Sequence, residues 1–134
     1  MSLELACRVN AWARSTQRST DGNWSAEVDG RANDAALELS SPLDLSWAGT
    51  ATLTFDWFIE GGFDLGEYVA LDVSTDGGTN WTRNVSLIAG NESQEDVWRQ
   101  EIVNLESFRT DSVKIRFRAS VSARNEDANV DNVR

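Results

Sequence analysis

Tryptophan is the residue type in this sequence that is best suited to binding chemistry, because six occur in a chain of 134 residues. The flat apolar face of an indole stacks on sugar rings, and its N–H donates to hydroxyls. Trp57 alternates with apolar residues and is expected in the core, whereas Trp81 packs under a turn. Trp12, Trp24 and Trp47 lie beside polar, turn-rich sequence. We predict that these three form a ligand-binding surface, with burial in the core as the alternative for each.

Three acidic residues follow an aromatic segment in residues 58–67: Glu60, Asp64 and Glu67. Two carboxylates set about 5 or 9 Å apart catalyse glycoside hydrolysis, which makes a small glycosidase one alternative. Loop acids are more often simply solvated, and Glu60 and Asp64 equally fit the rim of a binding surface. The chain has no histidine, which removes Ser-His-Asp and Cys-His catalytic groupings. We therefore predict a binding protein with no catalytic residues.

The charge and cysteine content exclude further classes. The 22 acidic and 12 basic residues give a net charge of −10, and a chain of this charge is repelled by nucleic-acid phosphates. Cys7 is the only cysteine, so no disulfide can form within the chain. No apolar run reaches the roughly 20 residues of a membrane-spanning helix.

The elements that would position these residues are β-strands. Three segments alternate apolar and polar side chains with the period of two typical of a half-buried strand: residues 51–59, 68–74 and 113–119. In the last of them we expect the basic side chains of Lys114, Arg116 and Arg118 to face water. Shorter candidate strands cover residues 5–9, 24–28, 35–39, 81–87, 98–103 and 128–133. Glycine and Asn/Asp turns separate the strands, which predicts an all-β antiparallel sandwich of jelly-roll type with eight or nine strands.

One turn carries a recognisable motif over residues 74–81, with the spacing S-x-D-x-G-x-x-W. It resembles the Asp-box, a β-hairpin motif of sialidase propellers and secreted β-domains. Asp76 is expected to accept hydrogen bonds from turn amides, Gly78 to take a positive φ, and Trp81 to pack beneath the turn. A single copy predicts a structural hairpin and not a catalytic site.

The order of these segments resembles the jelly-roll modules attached to secreted bacterial hydrolases, proteases and adhesins, and it is similar to the MAM domain of animal surface proteins. The resemblance covers residues 23–134. Its features are, in order, a strand ending in Ser-Ser-Pro at 40–42, the aromatic strand at 51–59, the hairpin, a strand led by Trp98, and a closing Asp-Asn-Val at 131–133. It implies a carbohydrate-binding or other extracellular binding module.

The resemblance also implies a structural calcium ion between the N-terminal part and the last strand. Calcium takes six to eight oxygen ligands. The candidates are Asp29, Asn33 and Asp34 in one loop, with Asp131 and Asn132 at the closing strand. A polar loop stabilised by its own Asx side chains is the alternative.

We expect residues 1–134 to form a single domain, and because the sequence stops within a predicted strand, we expect it to be excised from a longer secreted or cell-surface protein. The main hypothesis is a non-catalytic module that binds a glycan, attached to a larger hydrolase, protease or adhesin. The alternative is a structural spacer or protein-interaction domain that binds no sugar.

Overall fold

Ten short strands account for the regular structure of the described part of the chain. The computed structural model describes residues 12–134 and the backbone of residues 3–5. The strands are β1 (Leu3–Leu5), β2 (Trp12–Ser15), β3 (Ser25–Asp29), β4 (Ala32–Leu39), β5 (Thr52–Ile59), β6 (Tyr68–Ser74), β7 (Thr82–Ala89), β8 (Arg99–Asn104), β9 (Lys114–Val121) and β10 (Asp127–Asp131). A single 3₁₀ turn, Glu106–Phe108, precedes β9. Within the described residues no helix has the length and apolar character needed to cross a lipid bilayer.

The strands form two five-stranded sheets. The first has the order β1-β4-β9-β6-β7 and the second the order β2-β3-β10-β5-β8. Each described pairing within them is antiparallel. The predicted antiparallel jelly-roll sandwich is thereby confirmed. Of the predicted strands, residues 6–9 of the first lie outside the described residues, and β2 was missed because its sequence, Trp-Ala-Arg-Ser, has no alternating pattern.

The core lies between the sheets and is filled by the apolar side of each alternating strand. Phe55 of β5 and Phe117 of β9, both fully buried, meet edge to face with ring centroids 4.9 Å apart. Trp12 is also buried, with 2% of its surface exposed. Its Nε1 donates to the backbone carbonyl of Ala35 at 2.9 Å, which joins the edge of the second sheet to the first. The prediction that Trp12 stands at the surface is therefore wrong, because β2 turns residue 12 inward opposite Val28.

The hairpin at residues 74–81 has the contacts that its sequence predicts. The Asp76 carboxylate accepts hydrogen bonds from the Ser74 hydroxyl and the Asn80 amide, each at 2.8 Å. Hydrogen bonds from the Asn80 backbone and side chain lower the pKa of Asp76 to about 2. Gly78 has a φ of +98°, and Trp81 Nε1 donates to the Gly78 carbonyl at 3.1 Å.

The outer side of the first sheet carries a closed network of ion pairs. Asp72, fully buried, accepts hydrogen bonds from Arg118 Nε at 2.6 Å and Arg116 Nε at 2.7 Å. Arg118 also reaches Asp34 at 2.5 Å and Asn84 at 2.5 Å. Only 2% of Arg118 is exposed, so the prediction that its side chain faces water is wrong. Its partners come from β4, β6 and β7, and together they cover it.

Candidate functional site

The outer side of the second sheet brings polar and aromatic side chains into one row. On β10 and β5 the cross-strand register pairs Asn129 with Phe58, and on β3 Glu27 pairs with the same Asn129. Alternation along β5 points Phe58 away from the core, while Trp57 and Ile59 on either side are buried. The row continues to Trp98, the residue before β8, whose ring lies 5.6 Å from that of Phe58.

Arg18 lies over the middle of this row. Its guanidinium Cζ stands 4.5 Å from the centroid of the Phe58 ring. Nη2 donates to Glu60 at 3.2 Å, and Nη1 donates to Asp127 and to the side-chain Oδ1 of Asn129, each at 3.4 Å. We call this surface the Arg18 face and define it by these residues: Arg18, Glu27, Phe58, Glu60, Trp98, Asp127 and Asn129.

A buried amide forms the floor of the Arg18 face. Asn129 is fully buried, and its Nδ2 donates to Ser25 Oγ at 3.0 Å and to Glu27 Oε2 at 2.9 Å. Its Oδ1 accepts from Arg18. Because a buried polar group without partners is costly, these bonds fix the orientation of the amide. Two of the groups around Arg18, Asn129 and Glu27, are thus held in place within the strands of the sheet.

The loop that delivers Arg18 is anchored to the end of β10. Asp131 Oδ2 accepts hydrogen bonds from the backbone amides of Thr20 at 2.6 Å and Asp21 at 3.0 Å. The Thr20 hydroxyl donates to Asp56 on β5 at 2.7 Å. Residues far apart in sequence therefore set the position of the guanidinium.

Negative charge exceeds positive charge on the Arg18 face. The guanidinium has Glu60 and Asp127 as hydrogen-bonded partners and lies 3.8 Å from Glu27. Three carboxylates thus surround one cation. Burial raises the pKa of Glu60, and the nearby Asp127 carboxylate raises it further, while Arg18 opposes this. The face therefore has more hydrogen-bond acceptors than donors.

Of the three tryptophans predicted to bind ligand, Trp12 and Trp24 line one groove, whereas Trp47 does not line it. Trp47 is 80% exposed in the turn before β5, and Trp24 is 48% exposed beside β3 with the Arg14 guanidinium 4.2 Å from its ring centroid. The groove that Trp24 lines has a volume of about 350 Å³, and Asp131 and Asn132 are also in its lining. Trp12 forms part of the buried wall of this groove.

Of the two predicted rim acids, the structure brings one to the Arg18 face. Glu60 contacts Arg18, whereas Asp64 is exposed in the following turn. Sequence reasoning missed Arg18, Phe58 and Trp98 as site residues. An aromatic residue out of phase with the buried positions of β5 was the available signal for Phe58.

The five predicted calcium ligands are not assembled into one shell. Asp29 pairs with the first residue of β10, whereas Asp131 is its last residue, about 13 Å away at the rise of a strand. Asn33 and Asp34 belong to β4 in the other sheet. Asn132 lies beside Asp131.

Asp34 is also engaged elsewhere. Its carboxylate accepts hydrogen bonds from Arg118 at 2.5 Å, from Arg83 at 3.1 Å and from the Tyr68 hydroxyl. Burial opposes ionisation of this carboxyl, but the hydrogen bonds from Tyr68 and the two arginines prevail and lower its pKa to about 2.

A different acidic group has the spacing that a metal ion requires. Carboxylate oxygens of Asp64, Glu67 and Glu126 lie within 4.8 Å of one another. We call these three residues the Glu67 cluster. Burial raises the pKa of Glu126, and the adjacent Glu67 carboxylate adds to this. The oxygens are of the kind that calcium prefers, but they also accept backbone hydrogen bonds: Glu67 from Ser122 at 2.7 Å and from Asp64 at 2.6 Å.

Chemically, the Arg18 face combines a stacking surface with planar hydrogen-bonding groups. The partly exposed Trp98 ring lies beside Phe58, whose ring the Arg18 guanidinium overlies. The carboxylates supply acceptors for hydroxyl donors. This combination suits a ligand with apolar faces and many hydroxyl groups.

No protein-family model matches this chain, and no curated protein sequence matches it. Solved structures do match in fold. A family 61 carbohydrate-binding module in complex with β-1,4-galactotriose has a TM-score of 0.67 and 16% identity over 98% of this chain and 85% of that one. The K2 cleaved adhesin domain of Lys-gingipain has a TM-score of 0.66 and 15% identity over 98% of this chain and 87% of that one.

A family 28 carbohydrate-binding module, specific for non-crystalline cellulose, has a TM-score of 0.61 and 16% identity over 98% of this chain and 85% of that one. These structures confirm the predicted resemblance in fold to jelly-roll carbohydrate-binding and adhesin modules.

Proposed function

We propose that this protein is a non-catalytic binding module that recognises carbohydrate through the Arg18 face, as part of a secreted or cell-surface protein. The observation that carries the proposal is the row formed by Asn129 on β10, Phe58 on β5 and Trp98 just before β8, with Arg18 above it. Strands hold such groups more rigidly than loops do, and rigid groups lose less entropy when a ligand binds.

The similar folds support this proposal. The modules of families 61 and 28 are carbohydrate-binding proteins, and the gingipain domain is an adhesin domain. Sugar rings present C–H faces that stack on aromatic rings, and their hydroxyls donate to carboxylates and amides. The Arg18 face offers both kinds of contact on one side of one sheet.

Binding to a glycan array, followed by titration of tryptophan fluorescence, tests the proposal. We expect Trp98→Ala to weaken the affinity for any glycan bound by at least tenfold, about 1.4 kcal/mol, as loss of a stacking contact at the centre of a site does. Trp47→Ala is the matched control. Trp47 is highly exposed in the turn that precedes β5, whereas Trp98 lies by Phe58 near the other end of that strand, so this substitution should leave affinity unchanged.

The alternative is a structural spacer or protein-interaction domain in which the Arg18 face only anchors the loop around residues 16–22. That alternative predicts no glycan binding by the folded protein. Equal loss of affinity in Trp98→Ala and Trp47→Ala would also contradict the assignment of the site.

A further inference from the structure

The charge distribution on the second sheet extends beyond the Arg18 face. Along the outer side of the sheet, Asp56 and Asp131 stand next to each other in register and share the Thr20 hydroxyl, at 2.7 and 3.2 Å. Together with the three carboxylates around Arg18, five carboxylates lie on this side of the sheet. Two of them, Glu27 and Asp127, are buried, and the other three are partly exposed. Arg18 is the cation in hydrogen-bond contact with this group on the described sheet face.

We infer that this surface selects glycans by charge: it binds neutral glycans and glycans with free amino groups, and it rejects those that carry uronic acid or sulfate groups. The inference rests on the proposed function and names the substrate class for the same site. The inference concerns the negative electrostatic field at the Arg18 face as a whole and not any single contact.

Arg18 does not reverse this preference, although a free arginine binds carboxylates and sulfates well. Its Nη1 and Nη2 atoms already donate to Asp127, Asn129 and Glu60. A uronate placed against the Trp98 ring, beside Phe58, would therefore meet an arginine whose charge is already neutralised by the carboxylates around it. It would also approach several carboxylates, and like charges brought together at a partly dehydrated surface repel strongly.

An ammonium group finds the opposite situation. Glu60 keeps 31% of its side chain exposed, so it can accept a hydrogen bond from a ligand while it remains bound to Arg18. The Arg18 guanidinium lies between carboxylates and the Phe58 ring, so the Arg18 face already accommodates one cation in such surroundings.

Three hexasaccharides with the same β-1,4-linked skeleton test the inference: cellohexaose, its 2-amino analogue and its C6-oxidised uronate analogue. They are measured by calorimetry beside an array that contains neutral, amino, uronic and sulfated glycans. We expect the neutral and amino glycans to bind and the amino glycans to bind most tightly. Anionic glycans on the array should bind with at least tenfold lower affinity than their neutral counterparts. The difference in affinity should be smaller at 1 M salt, because screening shortens the range of the charges.

The variant Glu60→Gln should reduce the ratio of amino to uronic affinity roughly five- to tenfold, the effect of one unit charge several ångströms away at a partly exposed site. Asp44→Asn removes the same charge from an exposed turn near Ser46 and should leave the ratio unchanged. Uronic or sulfated glycans that bind as tightly as neutral ones would overturn the inference while the proposed function stands. Absence of binding to every glycan would overturn the proposed function itself.

Discussion

Replacement of Asp131 by alanine tests whether the loop that carries Arg18 is held by the end of β10. The carboxylate accepts two backbone amides, from Thr20 at 2.6 Å and from Asp21 at 3.0 Å. A hydrogen bond to a charged group contributes about 1.5–3 kcal/mol net, and solvent exposure at this site reduces that. We expect Asp131→Ala to lower the free energy of unfolding by about 2 kcal/mol.

Urea denaturation followed by tryptophan fluorescence measures this change, with the midpoint expected to fall at an unaltered slope. Asp131→Asn keeps one oxygen acceptor and should lose about half as much, roughly 1 kcal/mol. Asp44→Ala is the control, because Asp44 also accepts a turn amide, from Ser46 at 3.0 Å, but supports no distant loop. If Asp131→Ala has the same free energy of unfolding as the Asp44→Ala control, the anchoring role of Asp131 is refuted. If Asp131→Ala is destabilised as expected but keeps its glycan affinity, Arg18 is not required for binding.

Three further predictions concern the core, acid and metal. Phe117→Ala, which removes a fully buried ring, should cost about 3–5 kcal/mol in urea denaturation; a loss below 1 kcal/mol would contradict the described packing. The pKa of Asp34 is about 2 when folded, against an ordinary value of 3.8, so its contribution is present above pH 4 and is lost as the pH falls toward 2. Asp34→Asn should therefore destabilise by about 1 kcal/mol at pH 6, after allowance for partial exposure, and by less at pH 2.5. Calcium that binds the folded protein at the Glu67 cluster must raise the melting midpoint relative to chelator, and Asp64→Asn should reduce that rise. Identical midpoints with calcium and with chelator would contradict the predicted calcium ion.

The part of the fold that sequence predicts best is the part that depends on local alternation. β5 alternates over eight residues, and its apolar side faces the core as expected. β2 has four residues and no such pattern. Trp12 is buried because β2 pairs with β3, and its indole N–H donates to a carbonyl 23 residues away. Nothing near Trp12 in the sequence signals either contact.

The candidate site was harder to predict for the same physical reason. Arg18 lies in a turn-rich segment, and its contacts with Asp127 and Asn129 span 109 and 111 residues. Pairing of β10 with β3 and β5 makes those contacts possible, so the site exists only once the topology is known. Glu60 was predicted as a site residue because it is one of three acids that follow an aromatic segment. Its partner, Arg18, was not evident from the sequence.

The two outer faces of the sandwich differ in how their charges are balanced, and this difference separates a structural surface from a candidate binding surface. On the first sheet, Asp72 is enclosed between Arg116 and Arg118, so anions and cations satisfy one another within the protein. On the second sheet, the single guanidinium of Arg18 forms ion pairs with three carboxylates. A carboxylate has about four lone-pair sites, so the carboxylates in excess on the second sheet can accept further hydrogen bonds from a ligand. Hydroxyl-rich ligands supply the donors for such bonds, and for this reason we propose the second sheet as the binding surface.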